Sequence, residues 1–156
     1  MAEENIYKPI KYKVDKIVTE TPLIKTFFIS ADKEFEFKTG QFVEVTLDGI
    51  GEAPYTPSSS PYIKNKMELT IMKAGYVTGK MHELKGGETI GIRGPYGKGY
   101  PVEKFYGKEI IILGGGVGLA PLRCLILTLL EEEDKFNKIN IFCFRLVVFL
   151  IFSRFL

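Results

Sequence analysis

At 156 residues, 46% of them apolar and 26% charged, the chain has room for one ordinary domain, or for one small domain plus part of another. Twenty-one basic against nineteen acidic residues leave a formal net charge of +2, too small to make nucleic acid or an anionic membrane the main partner. Two cysteines, Cys124 and Cys143, are too few for a disulfide framework or for ligating an iron–sulfur cluster, so any such cluster is expected outside this chain.

The first residues, MAEENIYKPIKYKV, carry acids where a signal peptide would carry bases and have no continuous apolar run, which predicts a cytoplasmic protein. From there to Arg93 the pattern is that of β-structure. Segments rich in β-branched and aromatic residues recur at Ile10 to Thr19, Leu23 to Ser30, Gln41 to Leu47, Met67 to Met72 and Glu88 to Arg93. Alternation in Gln41 to Leu47 predicts that Val43, Val45 and Leu47 face inward together. Turn signals such as Lys38-Thr39-Gly40, Asp48-Gly49-Ile50-Gly51 and Lys85-Gly86-Gly87 separate the segments. This spacing predicts a small antiparallel barrel or sandwich, with a loop and short helix at Gly75 to Leu84 as the exception.

At Lys108 the pattern changes. KEIIIL is a continuous apolar run of the kind buried on both faces of a parallel sheet, and it ends at Gly114-Gly115-Gly116-Val117-Gly118. Leu119 to Glu133 predicts a helix with Pro121 in its first turn and an apolar face broader than one sheet requires. Ile139 to Phe142 is the expected second strand, completing one βαβ unit. The expected organisation is a barrel over residues 1–106, a partial βαβ unit over 107–142, and an apolar tail over 143–156.

A compositional break sets that tail apart. Up to Lys138 the bases are lysines except for Arg93 and Arg123; beyond it lysine and acid vanish, and INIFCFRLVVFLIFSRFL holds five phenylalanines. Eighteen residues containing Arg145 and Arg154 make a poor membrane span. A buried strand with an ordered apolar tail is a second reading. A reading frame interrupted near Phe142, leaving a tail that is not an evolved segment, is a third and is preferred.

The chain from about Ile10 to Phe142 resembles the ferredoxin-NADP reductase-like flavoproteins, on loops that occur in that family's order. Gly51-Glu52-Ala53-Pro54-Tyr55-Thr56-Pro57-Ser58-Ser59-Ser60 looks like the flavin-contacting strand, and Gly75-Tyr76-Val77-Thr78 like the flavin-phosphate loop. Gly91-Ile92-Arg93-Gly94-Pro95-Tyr96-Gly97 is similar to the turn closing the barrel, and Gly114 to Pro121 to the nicotinamide-side glycine loop. The resemblance is strongest to the electron-transfer (gamma) subunits of hydrogenase or sulfur reductase, anaerobic sulfite reductase and dihydroorotate dehydrogenase. It implies a small antiparallel Greek-key barrel followed by an incomplete α/β nucleotide-binding domain, with FAD as cofactor and NAD(P)H as substrate. An iron–sulfur, hydrogenase or reductase subunit is the implied partner. The activity implied is that of an FAD-dependent NAD(P)H oxidoreductase subunit, the alternative being a C-terminally truncated, non-enzymatic remnant that binds flavin without using NAD(P)H.

The same resemblance assigns Pro54, Tyr55 and Thr56 to the flavin, with the Tyr55 ring on the flavin face and Thr56 near its edge. An aromatic ring and a hydroxyl side by side on a strand suit one flat ring system, although an ordinary core tyrosine fits the pattern equally. Many members carry an arginine two residues before the tyrosine, where this chain has Ala53. Gly75, Val77 and Thr78 are the expected pyrophosphate ligands, through helix-start amides and the Thr78 hydroxyl, with Lys73 or Lys80 supplying charge; a plain glycine-to-helix turn is the alternative. Gly114, Gly115, Gly116, Gly118 and Pro121 are the expected nicotinamide-side residues, although GGGVGLAP is not G-x-G-x-x-G and also reads as a tight strand-to-helix turn. No catalytic residue or metal ligand is assigned, and His82 is read as structural.

Overall fold

The computed structural model describes residues 7–144. β1 (Ile10–Thr21) and β2 (Ile24–Ser30) form one antiparallel hairpin, and β3 (Phe42–Leu47) and β4 (Gly51–Tyr55) another. β5 (Lys66–Met72) pairs antiparallel with β2, and β6 (Thr89–Tyr96) lies antiparallel between β1 and β3. The result is a six-stranded sheet in the order β4-β3-β6-β1-β2-β5, whose long return of β6 between earlier strands is a Greek-key connection. The chain leaving β4 then crosses to the far edge, where the Ser58 N–H donates to the Glu68 carbonyl of β5 at 2.8 Å. That bond draws the two sheet edges together into a barrel.

Alternation fills the barrel. Val43, Val45 and Leu47 are buried as their spacing predicts, and Tyr12, Phe27, Ile29, Met67, Leu69, Ile71, Ile90 and Ile92 join them in one cluster. Each such side chain contributes about 1.5–3 kcal/mol by leaving water. Pro54 has no N–H to give a ladder, and β4 accepts it because β4 is an edge strand. β4 ends at Tyr55, so Thr56 lies just beyond the strand, where Pro57 follows. Gly91 to Arg93 lies in β6 as the strand pattern predicts, and the strand runs on through Gly94-Pro95-Tyr96, where the resemblance implied a turn; Gly94, at φ +123°, sits where the pairing with β3 shifts register.

After β5, helix α1 (Tyr76–Glu83) is pinned to the barrel by the fully buried Met81. β7 (Glu109–Gly115), a 3-10 turn at Gly116–Gly118, helix α2 (Leu119–Glu131) and β8 (Lys138–Phe144) form the βαβ unit, with β7 and β8 parallel. A second cluster of Val102, Ile112, Leu119, Leu125, Ile126, Leu129 and Phe136 holds it. Two expectations change here. Among the described residues KEIIIL is covered on one face only, by α2: Ile111 and Leu113 are 65% and 62% exposed on the other face, beside Phe142 and Phe144. β8 also continues through Cys143 and Phe144, so these residues belong to a strand; the remainder of the expected tail lies outside the described residues.

Candidate functional site

The edge pair β3–β4 presents an open cleft of about 410 Å³ lined by Phe42, Glu44, Pro54, Tyr55 and Thr56. The Tyr55 ring packs against the barrel cluster, while its hydroxyl is buried and has no hydrogen-bond partner among the described residues. Burial, and then the nearby Glu44 carboxylate, push the Tyr55 phenol up. A buried hydroxyl left without a partner costs about 1–3 kcal/mol. The nearest arginine to this strand does not replace the one absent at Ala53. Arg93 Nε and Nη2 grip Glu52 in a two-pronged pair at 3.0 and 2.6 Å, with the Thr46 hydroxyl on the same carboxylate. These bonds hold Glu52 below the usual carboxylate range, the Arg93 hydrogen bond being the main cause.

Helix α1 starts next to the other end of β4: a Cβ built on Gly51 would lie 3.5 Å from Val77 Cγ2. Thr78 organises this helix start, its hydroxyl accepting from the Ala74 and Gly75 amides at 2.9 and 2.7 Å and donating to the Gly75 carbonyl. Its oxygen is thus engaged within the loop, where the sequence suggested a free donor for a ligand. The first intrahelical bond runs from Gly79 N to Gly75 O, so the amides of Tyr76, Val77 and Thr78 precede any intrahelical acceptor. Of the two candidate cations, Lys80 is paired with Glu83 at 2.8 Å, whereas Lys73 runs alongside the helix, its Cε 4.0 Å from the position of a Cβ on Gly79. His82 is tied to β5: its Nε2 donates to the Ile71 carbonyl at 2.9 Å, and burial pushes its pKa down.

The glycine loop divides by position. Gly114 is buried, and a Cβ there would meet Leu119 Cδ1 at 2.9 Å and Leu122 Cδ1 at 3.0 Å, so this glycine lets α2 pack onto β7. Gly116 turns the chain at φ +58°, while a Cβ on Gly118 would meet nothing within 4 Å, leaving its backbone approachable. Pro121 lies within the first turn of α2. The 3-10 turn lies beside β5, which brings the loop to the barrel. The residue-by-residue reading missed the link between them, the Arg123 side chain, which donates from Nη1 to the Ser58 carbonyl and to Glu68 Oε2, both at 2.7 Å. It also missed Phe42 and Glu44 in the cleft. Among the described residues no group of His, Cys, Asp or Glu could hold a metal ion, and no helix is long and apolar enough to cross a membrane.

Known proteins match this arrangement. The "Oxidoreductase FAD-binding domain" family matches residues 12–100. Sulfhydrogenase 1 subunit gamma of Pyrococcus furiosus is 38% identical over 145 residues, which is 90% of this chain and 50% of that protein. A probable dihydroorotate dehydrogenase B (NAD(+)), electron transfer subunit, of Methanocaldococcus jannaschii is 40% identical over 82% of this chain and 44% of its own length. Among solved structures, a ferredoxin NADP+ reductase from Neisseria gonorrhoeae with bound FAD and NADP superposes with a TM-score of 0.74 at 26% identity, covering 87% of this chain and 57% of that one. The chain spans about half the length of the curated relatives it matches. With a barrel, cleft and helix start of this kind, and a family match over most of the barrel, the chain belongs to the oxidoreductase FAD-binding domain family.

Proposed function

We propose that the chain holds FAD against the β3–β4 edge and forms the flavin-bearing part of an oxidoreductase or electron-transfer subunit that passes electrons between NAD(P)H and an iron–sulfur partner. The observation that carries this reading is the buried, unpartnered Tyr55 hydroxyl on the strand whose other end meets the start of α1. Pro54, Tyr55 and Thr56 would hold the flavin ring, and the amides of Tyr76, Val77 and Thr78 its pyrophosphate, with Lys73 beside them. The chain enters the helix extended at Gly75, φ −162°, and Thr78 fixes that entry. Gly115, Gly116 and Gly118 would admit the nicotinamide end; Gly114 and Pro121 shape the turn that presents them. FAD held there would supply the exchange between the electron pair carried by NAD(P)H and the single electrons taken by an iron–sulfur partner. The protein's part is to bind, orient and exclude water, with no side chain required to move a proton.

The proposed division places the barrel in residues 1–106 and the βαβ unit from 107. A cytoplasmic location belongs to the same proposal, supported by free Cys124 and exposed free Cys143. A second reading, flavin binding without use of NAD(P)H by these residues alone, is favoured by one observation: β7 and β8 are the only parallel pair among the described residues. A dinucleotide lies across the carboxyl ends of several such strands.

Chromatography of the flavin released from purified protein tests the main reading. FAD is the expected species. Predominant FMN would remove the pyrophosphate role of the α1 start, and colourless protein that fails to take up added flavin would remove the cleft assignment.

A further inference from the structure

We propose that Arg123 is a positioning residue: from α2 it latches the glycine loop to the chain leaving the Tyr55–Thr56 segment, and the seam between α2 and the barrel opens only when this latch releases. The inference rests on the flavin reading for the meaning of the two segments it joins.

Its acceptors form a clamp of their own. The Ser58 N–H and hydroxyl both donate to the Glu68 carbonyl, at 2.8 and 3.1 Å, and the Ser58 hydroxyl also bonds the Thr70 hydroxyl at 3.0 Å. Thr70 passes this on to Thr26 at 3.0 Å, and the Glu68 N–H donates to Ser59 Oγ at 3.1 Å. Ser58 and Ser59 are buried although they lie outside any strand. They are thus fixed to β5 by side-chain bonds, and Thr56, two residues before Ser58, inherits that fixation. Arg123 then bonds one acceptor on each side of the clamp, the Ser58 carbonyl and the Glu68 carboxylate. Both bonds leave the one Nη1 nitrogen, whose two N–H groups are fixed in the guanidinium plane, a definition that the freely rotating lysine ammonium lacks. The glycine loop lies at the start of the same helix, so its distance from Thr56 is set through Arg123 and Ser58.

The next residue reports on the seam. Cys124 is fully buried and is the one residue of α2 in the barrel's core cluster. Burial pushes its thiol up, opposed by the Thr39 hydroxyl and the Arg123 charge. Removing the Arg123 charge alone would therefore make Cys124 less reactive, whereas releasing a latch would make it more reactive. The two roles of Arg123 predict opposite signs.

The test uses the full chain in a Cys143→Ser background, which leaves Cys124 as the single thiol. Labelling by an aromatic disulfide reagent is followed with and without flavin, alongside hydrogen exchange of the β1–β6 amides. Arg123→Met, and independently Glu68→Gln, which keeps the arginine, are expected to label at least about tenfold faster than the parent, a tenfold factor being modest on the free-energy scale of such contacts. Arg123→Lys should fall between, and barrel exchange should stay unchanged. Equal or slower labelling overturns the latch, and so does acceleration matched by faster barrel exchange, which would mark a general loss of stability. Accelerated labelling in protein that takes up no flavin would sink the flavin reading and leave the latch standing.

Discussion

Tyr55 carries the sharpest consequence at the scale of one residue. Its hydroxyl is buried without a partner, so Tyr55→Phe should leave the flavin-free protein as stable or up to about 1 kcal/mol more stable, while weakening flavin retention. Urea unfolding of flavin-free protein and equilibrium dialysis of flavin measure the two effects; weaker stability with unchanged retention would return the hydroxyl to a purely internal role. Tyr55→Ala removes the ring as well and should cost about 1–2 kcal/mol of flavin affinity with a changed visible spectrum. Sequence could single out Tyr55 because an aromatic followed by a hydroxyl residue is a local pattern, one that an ordinary core tyrosine fits equally. Arg93 and Arg123 were half legible: two arginines among lysines stood out, and both prove to be gripped by carboxylates, at 2.6 and 2.7 Å. Their partners, Glu52 and Glu68, lie 41 and 55 residues away in sequence, beyond any spacing rule.

Among the elements, the start of α1 depends on Thr78. Thr78→Val keeps the shape but removes the acceptor for the Ala74 and Gly75 amides, at an expected cost of about 1 kcal/mol in stability and with weakened preference for FAD over FMN. Competition between the two flavins reads the preference, and an unchanged ratio would separate the helix start from the phosphates. The far end of α2 has its own tie: Tyr62 and Tyr106 both donate to Glu132 at 2.7 Å. Those bonds, Tyr106 first, hold Glu132 below its ordinary range, so its contribution is present above the unfolded carboxylate pKa and is lost as pH falls through the depressed folded value. Acid unfolding below about pH 4 should therefore be less steep in Glu132→Gln than in the parent; identical slopes would show that the tie adds nothing. Five of the six barrel strands and both helices could be read from pattern and turn signals, whereas β4, five residues with Pro54 inside, came only with the family resemblance. The one-sided cover of β7 could not, because a continuous apolar run records what a strand can tolerate on both faces and says nothing about whether a second layer is present.

For the molecule as a whole, the breadth of the apolar face on α2, visible in sequence without an explanation, follows from the fold: Leu119, Leu125, Ile126 and Leu129 serve one core while Cys124 serves the other. A helix that answers to two neighbours cannot be exchanged with either half alone. In recombination between relatives, a crossover near Gly107 would pair a barrel with a foreign helix and lose the fit at Cys124 and Arg123 together. A crossover in the turn after Glu131 would keep that fit but part the helix from Phe136 and from the Glu132 tie to Tyr62 and Tyr106, so chimeras joined at either point should fold less often than chains that inherit residues 7–144 from one parent.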